Sequence, residues 1–125
     1  MHIKGFADDA ALLVCGPDPD TLVRLMQKAI SKTFAWGSRN GLAFCPGKTE
    51  AVVFTHKRYP AGTFKNLKMD GNEIEYSNEV KYLGVILDSK LLFRKHIIEK
   101  SKKAIRLLNL LRNAVGKLWG HPQRL

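Results

Sequence analysis

Positions Leu22, Met26, Ala29, Ile30, Thr33 and Phe34 recur at steps of three and four, the period of one helix face. Asp18 before Pro19 supplies a helix start, with proline tolerated in the first turn. A helix is therefore predicted to run to about Arg39, closed by Asn40-Gly41, with Gly41 in the left-handed cap conformation. Upstream, "HIKGF" and "AALLVC" read as two short strands around a turn at Ala7–Asp9. Downstream, "EAVVFT" is β-branched and apolar and predicts a buried strand. "LKMDGNEIEY" predicts a hairpin: Leu67 and Met69 alternate out to Asp70-Gly71, and Ile74 and Tyr76 return. "VKYLGVIL" predicts one further strand, its Gly84 marking a bulge or a close backbone approach. From Phe93 to Lys117 the period is helical again, with a seam of Ile97, Ser101, Ala104, Leu108, Leu111, Val115 and Leu118. Ile98, Ile105 and Leu107 widen that seam, which favours a packing face over a two-stranded coiled coil.

Composition narrows the class. The 125 residues are 45% apolar, which suits one globular domain or part of one. No apolar run approaches the ~20 residues of a membrane span, and no signal-peptide pattern opens the chain. The expected setting is intracellular, nuclear or cytoplasmic, without a membrane. Cys15 and Cys45 lack a second Cys or His at zinc-ligand spacing and read as buried, reduced thiols. The four histidines are scattered, with none paired at i, i+4.

Charge changes the picture by its position. The net charge is +10, yet residues 1–89 carry 11 Lys+Arg against 10 Asp+Glu. Residues 90–125 carry 10 Lys+Arg and only Glu99, a net +9. Such a basic tail suits a polyanion, most often nucleic acid. Lys95, Lys102, Lys103 and Arg106 lie off the apolar seam, so a helix would turn them to solvent together.

Two stretches suggest chemistry. "GLAFCPGKT" imitates a phosphate-binding P-loop, but five residues separate Gly41 from Gly47 where the motif needs four. It also follows a helix instead of a strand, so the P-loop reading fails. "FADD" places Asp8 beside Asp9 between apolar segments. Strands tolerate neither aspartate nor adjacent like charges well. Two readings follow from these residues alone: an ordinary hairpin turn, where Asp is common, or a carboxylate pair held rigidly to bind a metal.

In order, "FADD", a five-turn helix, "GLAF…GKTEAVVF", a hairpin, "KYLGVILDSKLLFRKHI" and a basic helix resemble the reverse transcriptases of non-LTR retrotransposons. The resemblance extends over essentially the whole chain. It implies an α+β fold: a partial antiparallel palm sheet with a packed helix in residues 1–89, including the primer-grip region, and a basic thumb helix projecting from the body in residues 90–125. Phe6 and Ala7 match the family's aromatic-x pair; many members have Tyr where this chain has Phe6. Asp8 and Asp9 match its catalytic, metal-binding aspartates. Lys48 matches a lysine proposed to protonate the leaving pyrophosphate. Tyr82, Leu83, Gly84 and Val85 match the primer grip. Many relatives have Asn where this chain has Cys45, which bears on local loop geometry.

The implied reaction is two-metal nucleotide addition with Mg²⁺, or Mn²⁺ as a substitute. The implied partners are an RNA template, a DNA primer and the remaining polymerase. Another aspartate of the family sits on an earlier palm strand, and only Met1–Gly5 precede "FADD". A C-terminal segment of a polymerase core, inactive alone, is therefore expected. The competing expectation is a non-catalytic, basic nucleic-acid-binding module; a third is an unrelated α+β scaffold with an acidic turn.

Overall fold

The computed structural model describes residues 1–6 and 8–115. Ala7, Lys117 and Leu118 lie outside the described residues, so the turn and helix-end expectations at those positions do too. The described chain is α+β, with three separate antiparallel hairpins and two long helices. Among the described residues the strands pair only within these two-stranded ribbons. Cys15 and Cys45, expected to be buried, are both exposed: Cys15 follows the end of the first hairpin and Cys45 opens a surface turn.

Strand β1 (His2–Phe6) pairs with β2 (Asp9–Leu13), and helix α1 (Pro19–Arg39) follows. Asp18 caps α1 by accepting the Thr21 N–H at 2.8 Å, which satisfies one orphan donor of the first turn. The Thr21 hydroxyl and N–H beside it hold the Asp18 carboxyl below its ordinary value. At the other end Gly41 has φ +70°, as the sequence predicts. The helix ends in a close approach: Gly37 is buried, and Leu42 donates back to its carbonyl at 2.8 Å.

A 3-10 turn at Pro46–Lys48 comes next. The "EAVVFT" segment is not a strand. Ala51 alone makes a bridge, parallel, to Tyr76. Farther along, Thr55 donates to the Ser89 carbonyl at 2.9 Å. The partners lie just past two different hairpins, so no continuous ladder forms despite β-favouring side chains; strand propensity alone does not supply a neighbour.

Strands β3 (Leu67–Met69) and β4 (Asn72–Ile74) form the predicted hairpin. Asp70 (φ 50°) and Gly71 (φ 76°) both occupy positive φ, the pattern of a type I′ turn. This ribbon and α1 make the core. Ile30 packs with Leu67, Met69 and Ile74, and Leu12, Val23, Met26, Phe34, Phe44, Ala51 and Tyr76 close round them. Burial of each large apolar side chain contributes about 1.5–3 kcal/mol. The Tyr76 hydroxyl donates to the Lys65 carbonyl at 3.1 Å, and burial pushes the phenol above its usual range. Gln27 of α1 ties the two elements: its Nε2 donates to the Lys68 carbonyl and its Oε1 accepts the Lys68 N–H, both at 2.8 Å.

The "VKYLGVIL" segment is a hairpin, not one strand. β5 (Glu79–Tyr82) and β6 (Val85–Asp88) pair antiparallel, joined by Leu83 and Gly84. Helix α2 (Arg94–Ala114) then leaves the body. Every described side chain of α2 is exposed except half-buried His96. The seam at Ile97, Leu108 and Leu111 is thus uncovered, and the expected packing has no partner among the described residues.

Gly37 marks the tightest fit in α1. A Cβ there would lie 2.4 Å from the Phe44 ring and 3.1 Å from the Leu42 carbonyl oxygen. Helix propensity alone favours alanine over glycine by about 1 kcal/mol. The overlap outweighs this, so Gly37→Ala is expected to lose about 1–2 kcal/mol net. Urea unfolding checks the prediction; a higher midpoint for the variant would show that Phe44 yields freely.

Candidate catalytic hairpin and nucleic-acid interface

The acidic pair sits at the tip of the first hairpin. Phe6 pairs with Asp9, so only two residues, Ala7 and Asp8, connect the strands. Asp9 therefore opens β2 instead of lying in the turn. Strand alternation fixes the faces. Leu12 turns toward the core, so Asp9, Ala11 and their partners Phe6 and Lys4 take the opposite face. Asp8 lies off the ladder, so alternation does not force its carboxylate away from that of Asp9. Asp8, Asp9 and Phe6 are exposed, and neither aspartate makes an ion pair or side-chain hydrogen bond among the described residues. Adjacent carboxylates without a neutralising partner favour a cation. Two hard oxygen donors suit Mg²⁺ or Mn²⁺, but among the described residues no third Asp, Glu, His or Cys completes a metal-holding group.

Lys48 is exposed on the 3-10 turn, which packs against β4. Among the described residues no ion pair joins it to Asp8 or Asp9. The N–H groups of Lys48 and Thr49 donate inward to Cys45 and Pro46 at 3.1 and 3.0 Å. They do not form a phosphate cradle, in agreement with the rejected P-loop.

The four residues Tyr82, Leu83, Gly84 and Val85 meet at the tip of the β5–β6 hairpin. Leu83 (φ 47°) and Gly84 (φ 79°) again give the I′ pattern. Gly84 serves a turn, not the expected bulge or close backbone approach: a Cβ there would meet nothing within 4 Å. Leucine fits such a position badly: left-handed backbone costs about 1–2 kcal/mol for a residue with a Cβ. Leu83 is moreover half exposed, so no burial of its side chain offsets the strain.

Asp88, not singled out in the sequence, joins this hairpin to α2. Its carboxylate accepts the N–H groups of Lys90, Leu92 and Phe93 at 3.3, 3.0 and 2.7 Å. Those bonds, led by that from Leu92, hold its carboxyl below the ordinary value of 3.8. They fasten a short segment in which Leu91 (φ 53°) and Phe93 (φ 57°) are both left-handed. Its signal was an aspartate shortly before a helix, the residue type that satisfies free N–H groups. His96 adds a second tie: its Nδ1 accepts the N–H of buried Ile86 at 3.2 Å. Lys95 bonds to Glu79 of β5, which holds the lysine above its ordinary value. Lys102, Lys103 and Arg106 are exposed as expected; Lys95, also exposed, is engaged by Glu79 in this arrangement.

Curated relatives match the chain along most of its length. The chain is 27% identical over 99% of its length to a retrovirus-related Pol polyprotein from type-1 retrotransposable element R1 of Bradysia coprophila. It is 29% identical over 86% of its length to a probable RNA-directed DNA polymerase from transposon BS of Drosophila melanogaster. It is 31% identical over 76% of its length to the RNA-directed DNA polymerase from mobile element jockey of Drosophila funebris. The chain spans 12%, 12% and 10% of those three relatives' own lengths. No family model and no solved structure matches it. The chain is a homologue of the non-LTR retrotransposon reverse transcriptases, related to them along most of its own length.

Two outcomes follow from the local geometry. Asp88 has a lowered value in the folded state, so its stabilising effect is present at neutral pH. It is lost as pH falls below about 3.8 and through the folded value. Asp88→Asn, with one acceptor oxygen for three donors, should lower stability at neutral pH and flatten this acid-dependent loss; thermal unfolding followed by circular dichroism from pH 7 to pH 2 tests it. Leu83→Asn should stabilise the chain by about 1 kcal/mol, because asparagine tolerates positive φ. No gain in the urea midpoint would mean that Leu83 is not strained in solution.

Proposed function

We propose that the chain is the part of an RNA-directed DNA polymerase that carries a metal-binding aspartate pair, with residues 1–89 contributing the C-terminal palm and residues 90–125 the start of the thumb. The observation that carries this reading is the exposed Asp8–Asp9 pair at a two-residue connection, without a side-chain partner among the described residues, in a chain homologous to retrotransposon polymerases. Asp8 and Asp9 are the residues that would hold Mg²⁺ or Mn²⁺. When bound, such metals activate the attacking primer hydroxyl and stabilise the leaving oxygen.

The chain's own residues supply positioning. Phe6 shares a face with Asp9 and offers an aromatic surface beside the metal ligands. Tyr82, Leu83, Gly84 and Val85 form a projecting tip suited to contact with the primer. Lys102, Lys103 and Arg106 on α2 supply sequence-independent contacts to the template–primer backbone, while Lys95 is held by Glu79. Asp88, His96 and the Lys95–Glu79 pair fasten that helix to the β5–β6 hairpin, so primer contact and backbone contact move together. The assignment of Lys48 as proton donor to the leaving pyrophosphate rests on the family resemblance. The third carboxylate belongs to the rest of the polymerase, so the isolated chain binds metal weakly and does not extend a primer.

Titration with Mn²⁺ tests the metal assignment. Paramagnetic broadening should be centred on residues flanking Asp8 and Asp9, and Asp8→Asn with Asp9→Asn should reduce it at least several-fold. Unchanged broadening in the double variant would overturn the assignment.

A further inference from the structure

A second basic surface lies on α1, hidden by the near-neutral charge of residues 1–89. Arg24, Lys28 and Lys32 follow at i, i+4 and i+8, and all three are exposed. On a helix these positions form one continuous ridge, advancing about 6 Å per step. Across from it stands Lys65. An open groove of about 740 Å³ runs between them, with Arg24, Lys28, Lys65 and Asn66 in its walls. Asp20 is the single acidic residue of α1, against four cations including Arg39. It lies 3.9 Å from Lys65, but both side chains are nearly four-fifths exposed. Water and salt screen such a pair, so it yields to a stronger anion.

The next position on the ridge is Trp36, half exposed. Three cations leading to an exposed indole combine an electrostatic track with a stacking surface. That pairing recognises single-stranded nucleic acid, whose bases are free to stack. A duplex offers the phosphates but keeps its bases paired.

The surface is distant from the acidic tip. Lys28 and Lys32 also border a small pocket with Met1, Val14 and Cys15, at the open end of the first hairpin. Asp8 is at the other end, five ladder positions away, or about 17 Å at the usual rise per residue. We propose that Arg24, Lys28, Lys32 and Trp36 of α1, faced by Lys65, form a binding site for single-stranded nucleic acid separate from both the aspartate pair and α2. The site holds the phosphodiester backbone and stacks one base, without reading sequence.

The probe is a fluorescently labelled uridine oligonucleotide, its binding to the full chain measured by anisotropy across a salt series. Each phosphate contact adds about 0.7 to the slope of log affinity against log salt. Changing Arg24, Lys28 and Lys32 together to Gln should therefore lower the slope by about 2, with an unchanged circular dichroism spectrum. Trp36→Leu should weaken binding about 10-fold while leaving the slope intact. Both effects should persist when Lys95, Lys102, Lys103 and Arg106 are changed to Gln. Wild-type affinity and slope in the Arg24/Lys28/Lys32 variant would overturn the site. Equal affinity for a duplex of the same length, together with no effect of Trp36→Leu, would overturn its single-strand character. Neither arm involves Asp8 or Asp9, so failure of the metal assignment leaves this result standing.

Discussion

The contact of Ile30 with Leu67, Met69 and Ile74 is what the rest of the fold hangs on. A two-stranded ribbon is at best marginally stable in water, and the chain has three of them. The β3–β4 ribbon buries Leu67, Met69 and Ile74 against α1. The first hairpin reaches the same core through Leu12. The third is tied to the remainder by Thr55 and Ser89 and by its own fasteners to α2. Stability is therefore graded: greatest at the centre, least in the two hairpins whose tips carry the candidate functional residues.

Periodicity made α1 and the β3–β4 hairpin legible. A long amphipathic run with Asp18 before it and Gly41 after it has one reading, and Asp70-Gly71 names its own turn. The two errors share a cause. "EAVVFT" and "VKYLGVIL" have strand-forming side chains, but composition does not say where a partner lies. In the first, no neighbour runs alongside. In the second, the segment is its own neighbour, and Leu83-Gly84 concealed the turn because leucine is an uncommon residue at positive φ. That misfit is itself informative, since a chain that keeps a strained and exposed leucine at a tip keeps it at a cost to folding.

The candidate site was legible as residues and less so as geometry. "FADD" pointed to Asp8 and Asp9, yet their exposure and the face shared by Phe6 and Asp9 needed the ladder register. The tail's charge was visible by counting, whereas the basic ridge of α1 was not. Acidic residues elsewhere in the first 89 positions cancel it in the sum, although they sit on other elements. Asp88 was passed over for a different reason: an aspartate shortly before a helix is a signal for capping, but which three N–H groups it gathers is set only by the way the chain turns back on it.

Gln27 has an effect beyond joining α1 to β3. An amide side chain that both donates to and accepts from Lys68 imitates the backbone of an adjoining strand. On the far side, Ala51 engages the carbonyl of Glu75 and the N–H of Ser77, just past β4. The β3 margin of the central ribbon is thus closed at Lys68. His96 covers the β6 margin of the third hairpin in the same way at Ile86, whereas the first hairpin has no such cover among the described residues. An added strand therefore finds its uncovered edges on the ribbon that carries Asp9.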